Sequence, residues 1–120
     1  MSRILTPREE EIMQVLWKLK KAFVKEILDE LPGPKPPYNT VSSVVRKLES
    51  ENLVGHNTYG NTHQYYPILP KSNYRKFMIG RMVRNYFSGS PESLLSHFVK
   101  EENIDVEHFR QILDQIKEEE

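Results

Sequence analysis

Residues 32 to 37 read PGPKPP, four prolines in six positions, and no helix can run through such a stretch. Proline has no amide hydrogen to give a helical ladder, and it pushes the residue before it out of helical backbone angles. Periodic patterns on the two sides therefore belong to separate elements joined by a stiff connector. Before it, LTPREEEIMQVLWKL (residues 5–19) opens with Thr6 as N-cap, Pro7 at the first helical position and Glu9 three residues after Thr6, a capping box. Ile12, Leu16 and Leu19 form the stripe expected to be buried there, with Met13 and Val15 beside it. Residues 22–31, AFVKEILDEL, predict a second helix on Val24, Ile27, Leu28 and Leu31. After the connector, YNTVSSVVRKLESENLV (residues 38–54) places Val41, Val44, Val45 and Leu48 at i, i+3, i+4 and i+7, a third amphipathic helix. Asn39 or Thr40 is expected to cap it, and Asn52, which tolerates left-handed backbone, to end it.

Residues 53–69, LVGHNTYGNTHQYYPIL, are strand-like on both sides of Gly60-Asn61, a two-residue hairpin turn. Three short helices and then a hairpin is the order of a winged helix-turn-helix, with the hairpin as the wing. Three further helical patterns follow. The first sets Tyr74, Met78, Met82 and Tyr86 at intervals of four, with Ile79, Val83 and Phe87 on the next row. The second starts at Ser90-Pro91 and carries Leu94, Leu95, Phe98 and Val99. The third starts after Asp105 and carries Val106, Phe109, Ile112, Leu113 and Ile116 in a coiled-coil-like seam. The expected fold is mainly α with a small β-hairpin: a winged helix-turn-helix domain over residues 1–70 and a C-terminal helical dimerisation region over residues 71–120. Apolar helix faces left over after a complete winged domain call for a partner, and a second copy of the chain is the simplest.

The chain has 120 residues and a formal net charge of zero, but the zero is uneven. Residues 1–90 hold 14 Lys and Arg against 8 Asp and Glu, whereas residues 91–120 hold 3 against 9. A basic body that meets an anion and an acidic tail that stays clear of it fit that split. The absence of cysteine excludes disulfides, thiolate catalysis and zinc-finger sites, and makes the cytoplasm the expected compartment.

The outer face of the third helix is unusually slim. Asn39, Thr40, Ser42 and Ser43 are short hydrogen-bonding side chains at the end of the helix that meets base edges in a helix-turn-helix. Small residues let backbone approach a groove, and Arg46 and Lys47 reach phosphate or guanine. In the hairpin, Thr58, Tyr59, Asn61 and His63 can bond phosphate, but Asn57 to Gln64 contains no Lys or Arg, so a charge-based grip is missing. The partner expected is double-stranded operator DNA, contacted by a homodimer held through Tyr74, Met78, Met82, Leu94, Leu95, Phe98, Phe109, Leu113 and Ile116. His56, His63, His97 and His108 lack metal-ligand spacing; only His56 and His63, facing across the hairpin, leave room for a weak divalent site. No Gly-rich phosphate loop and no nucleophile with a base is present, so neither enzyme activity, a cofactor nor a small-molecule substrate is expected.

The segments LTPREEEIMQVLW, VKEILDEL, YNTVSSVVRKLESENLV, HQYY and SLLSHFVKEENID, in this order, resemble the penicillinase-repressor family (BlaI/MecI/CopY type) over nearly the whole chain. The resemblance implies a dimeric winged-helix repressor that binds a dyad-symmetric operator through its third helix and wing, with C-terminal helices forming the dimer. In antibiotic-responsive members a membrane sensor metalloprotease triggers cleavage of an Asn-Phe bond in the dimerisation region; the matching bond here joins His97 to Phe98, so the Asn is absent. The copper-responsive members use a C-terminal cysteine cluster that this chain lacks. The wing lysines of some relatives are missing as well, and Asn52 stands where a Gly is expected. Two other readings stay open on the sequence: a winged-helix dimer that serves as a protein-interaction adaptor without binding DNA, and a metal-responsive regulator of another design.

Overall fold

The computed structural model describes residues 3–102 and 105–119. In order, these form α1 (Pro7–Leu19), β1 (Ala22–Phe23), α2 (Val24–Glu30), α3 (Tyr38–Ser50), β2 (Val54–Tyr59), β3 (Thr62–Pro67), α4 (Lys71–Tyr86), α5 (Pro91–Glu101) and α6 (Val106–Glu119). The three strands make one antiparallel sheet in the order β1-β3-β2. Contacts divide the chain into two units, Met1–Phe77 and Met78–Glu120.

The first unit contains a dense core. Ile12, Met13 and Leu16 of α1, Ile27 of α2, and Val41, Val45 and Leu48 of α3 are fully buried, and Val54 and Tyr65 close the space from the sheet. Leu19, expected inside, is only half-buried, because the stripe of α1 ends with the turn of backbone at Lys20 (φ 72°). The capping box forms: Thr6 Oγ1 accepts the Glu9 N–H at 3.2 Å, and Glu9 Oε1 accepts the Thr6 N–H at 2.8 Å.

Two expectations change at element starts. Ala22 and Phe23 are extended rather than helical, pairing Ala22 with Tyr65 and Phe23 with Gln64. The apolar period of AFVKEILDEL cannot separate the two cases, since buried Ala22 and Val24 suit a strand as well as a helix. Glu26 then accepts the Phe23 N–H at 2.9 Å and starts α2. The third helix begins at Tyr38 with Pro37 as N-cap, so Asn39 and Thr40 lie inside its first turn and cap nothing. The fixed φ of proline sets the cap two to three residues early, and the connector is anchored by Lys35, whose ammonium donates to the Leu28 and Asp29 carbonyls at the end of α2.

Asn52 ends α3 as expected. It has φ 63°, its N–H donates to the Glu49 carbonyl at 3.0 Å, and the Leu53 N–H donates to the Leu48 carbonyl at 3.0 Å, the two bonds of a Schellman motif. At the hairpin tip, Tyr59 pairs with Thr62 across Gly60-Asn61. Of the two turn residues only Gly60 has positive φ, at 58°, which is the type II′ arrangement.

A charged cluster joins the N-terminal segment to both α1 and α3. Arg3 donates to both Glu9 oxygens at 2.8 Å and to both Glu51 oxygens at 2.7 and 2.9 Å. Glu9 is 2% exposed, and the Arg3 guanidinium bonded to it holds its carboxyl down to about 2 against the opposing effect of burial. The same contacts hold Glu51 below the usual carboxylate range and raise Arg3 further.

Tyr74, expected at an interface between copies, lies in the first unit instead, 5% exposed. Its hydroxyl accepts the Leu5 N–H at 3.0 Å, and its ring sits 6.0 Å from Trp17. A phenol with its bond satisfied inside the chain is not free for a partner. In the second unit, Ser90 Oγ accepts the Ser93 N–H at 3.2 Å to cap α5, and Asp105 Oδ1 accepts the Glu107 N–H at 3.0 Å to cap α6.

Because the Glu9 carboxyl is depressed on folding, its contribution is present above the ordinary carboxylate range near pH 4.5 and is lost as pH falls toward about 2. Glu9→Gln should lower stability at pH 7 by on the order of 2–3 kcal/mol and flatten the acid limb of the stability profile. Urea unfolding at a series of pH values from neutral to acid checks both.

Candidate nucleic-acid interface

The helical register of α3 sorts its side chains into three rows. Val41, Val45 and Leu48 face the core at 0% exposure. Asn39, Ser43, Arg46 and Ser50 run along the exposed face. Thr40 and Lys47 lie on the side toward the N-terminal segment, where the Lys47 ammonium is 3.7 Å from Glu9. Tyr38, Ser42 and Glu49 lie on the other side, toward the hairpin.

That side opens into a cleft of about 240 Å³ lined by Tyr38, Ser42 and Arg46 of α3, Asn61, Thr62, His63 and Tyr65 of the hairpin, and Val24 of α2. It brings together four residues picked from sequence, Ser42, Arg46, Asn61 and His63. Arg46 is weakly held, its Nε 3.3 Å from the Ser42 carbonyl and its Nη2 3.4 Å from Ser43 Oγ, so little is lost when it turns outward. Asn39, Thr40 and Ser43 are exposed outside the cleft. Tyr38, 51% exposed, enters the site only because α3 starts there, capped by Pro37; its aromatic bulk ahead of a run of short residues was a usable signal.

The hairpin splits its candidates between two faces. Thr58 pairs with His63 and His56 with Tyr65, on the face toward α3. Tyr59 lies on the reverse face, its ring edge-on to Phe23 at 6.0 Å, so it cannot share the cleft. On the near face His56 and His63 are diagonal neighbours whose rings stack at 3.9 Å and 3°. His56 Nδ1 meets the Glu49 carboxylate, which ties β2 to the last turn of α3. Spacing suggested the two histidines; nothing in the sequence marked Glu49. Flat stacking sets the imidazoles side by side rather than converging on a point, and among the described residues no group of three or more His, Asp or Glu could hold a metal ion.

Comparison with known proteins decides the family. The penicillinase repressor family matches residues 5–118. The chain belongs to the penicillinase-repressor family. Family relatives include the methicillin resistance regulatory protein MecI of Staphylococcus aureus (strain N315), 22% identical over 113 residues, covering 91% of this chain and 92% of that protein. The penicillinase repressor of Bacillus licheniformis is 20% identical over 119 residues, covering 95% and 90%. Among solved structures, the fold is shared with Bordetella bronchiseptica BpsR, described for the regulation of its DNA binding by 6-hydroxynicotinic acid, at a TM-score of 0.50 and 11% identity over 98% of this chain and 76% of that one.

At Gly55 in β2 an added Cβ would lie 2.7 Å from the outer end of the Tyr66 ring. Gly55→Val should therefore destabilise the first unit by roughly 1–3 kcal/mol, since the ring must leave its seat. Denaturant unfolding of Gly55→Val in a Tyr66→Ala background, where the ring is gone and the added cost should shrink, checks that the effect is steric.

Proposed function

We propose that this chain is a homodimeric transcriptional repressor whose α3 enters the major groove of a palindromic operator while its hairpin lies along the neighbouring backbone. The observation that carries the reading is the cleft: the hairpin-facing side of α3 and the hairpin meet there with Ser42, Arg46, Asn61 and His63 on one concave surface. Asn39 and Ser43 are the side chains for base edges, and Thr40, Ser42, Arg46 and the hairpin residues are those for phosphates. Lys47 contributes less, because it already leans on Glu9. Family membership supports the same reading.

The second copy docks on the C-terminal helices. Ile79, Met82, Leu95, Phe98, Leu113 and Ile116 stand 40–49% exposed, while among the described residues of the second unit only Val83 is buried. Apolar surface on this scale, without a core of its own, fits an interface between copies. Met78, Leu94 and Phe109 are half-buried beside it. A two-fold pair would set two reading helices at half-sites one or two helical turns apart. Repression follows from occupation of a promoter, and release from loss of the pairing, which lowers affinity through lost avidity. The His97-Phe98 bond is where a membrane sensor metalloprotease would cut. It lies within α5, so that turn must open first.

The uncharged hairpin favours a second reading, an adaptor that binds protein and not DNA. Salt titration of binding to mixed-sequence duplex DNA separates the two: a repressor binds at low salt and weakens linearly in log–log form as salt rises. No binding at low salt supports the adaptor.

Arg46→Glu or Ser43→Glu should weaken duplex binding by roughly 10- to 100-fold with sedimentation mass unchanged. Leu113→Asp should instead yield a chain of half the sedimentation mass that binds DNA weakly. A mass unaltered by Leu113→Asp would refute the assigned dimer surface.

A further inference from the structure

The hairpin offers no permanent positive charge, yet it presents two imidazoles to the cleft beside Arg46. His56 and His63 stack at 3.9 Å and 3°, and His56 Nδ1 meets the Glu49 carboxylate. The two rings are not equivalent. Glu49 meets His56 Nδ1, so its carboxylate is the partner of that ring. His63 is exposed and lines the cleft with Arg46, and among the described residues no carboxylate pairs with it. His63 stands at stacking distance from His56 and lines the same cleft as the Arg46 guanidinium. The remaining titratable groups facing the pair are phenols: Tyr65, edge-on at 5.8 and 6.1 Å, and Tyr38 across the cleft. Phenols stay neutral in the range where imidazole titrates, and Val24, the contribution of α2, carries no charge.

A phosphate entering the cleft would supply a negative charge beside His63 and so favour a proton on that ring. We propose that His63 is a proton-gated phosphate contact: the hairpin takes up a proton as it engages the DNA backbone, and Glu49 holds the neighbouring His56 so that the added charge falls on His63. This rests on the DNA-binding reading above. The sign follows from linkage. The complex holds more protons than the separate partners, so affinity rises as pH falls and is lost as pH rises through the titration of the bound ring. The limit is tenfold per pH unit for each hairpin engaged. It also answers the missing lysines, since a wing charged only in contact with phosphate binds like a basic one at mildly acid pH and like a neutral one above it.

The test is binding of a labelled mixed-sequence duplex to the full chain at fixed ionic strength, from about pH 5.5 to 8.5, a range that brackets imidazole titration. Calorimetry in buffers of differing ionisation enthalpy counts the protons taken up. The wild-type chain should tighten as pH falls, with proton uptake. His63→Gln should flatten the profile at the weak, high-pH level. His63→Lys should flatten it at the tight level, a rescue that a merely structural histidine would not give. Binding that does not vary with pH, or His63→Gln with the wild-type slope, would overturn the proposal and leave the DNA-binding reading standing. No binding at any pH would overturn the DNA-binding reading itself, and the gate with it.

Discussion

The complete burial of Val41, Val45 and Leu48 is the constraint from which the rest of the first unit follows. Each such side chain is worth about 1.5–3 kcal/mol in burial, so α3 cannot roll about its axis without surrendering several of them at once. With the roll fixed, the direction of every other residue on the helix is fixed too. Ser43 and Arg46 point outward, Tyr38, Ser42 and Glu49 point to the hairpin, Lys47 points to Glu9 and Glu51 to Arg3. The polar contacts are secondary in magnitude but set the ends: Arg3 holds Glu51 at one side of the last turn, and Glu49 holds His56 at the other.

The two units are built to different standards of completeness. The first buries side chains from three helices and a sheet around α3. The second is capped well at Ser90 and Asp105 but leaves large apolar side chains along α4, α5 and α6 in solvent. The charge pattern runs the same way, with the basic excess in residues 1–90 and the acidic excess in 91–120.

How far the sequence could be read depended on how local the deciding physics was. Thr6, Glu9 and Pro7 specify a helix start among four neighbouring residues, Gly60 specifies a turn by its φ, and Asn52 an end by its own, so all three were legible. The strand at Ala22–Phe23 was not, because what makes it a strand is Tyr65 and Gln64 forty residues on. The cap of α3 was misplaced because Asn39 and Thr40 are good caps in isolation, while the connector ending at Pro37 chose the start. Ser42, Arg46, Asn61 and His63 were legible as a polar set, but that Tyr38 joins them, that Tyr59 faces away and that Glu49 binds His56 all depend on pairing register and helix roll. The apolar period placed Tyr74 correctly on its helix yet could not say which neighbour covers it.

The short strand β1 has a mechanical consequence. It pairs with β3 only at Tyr65 and Gln64, and beyond Gln64 the hairpin is a two-stranded ribbon ending at Gly60-Asn61. The base is thus clamped on both edges, by β1 on one side and by the Glu49–His56 contact on the other, while the tip is clamped on neither. Such a ribbon is a cantilever with its root in the core and its load applied near the free end. Movement of the tip therefore leaves the root, and the helix beside it, in register.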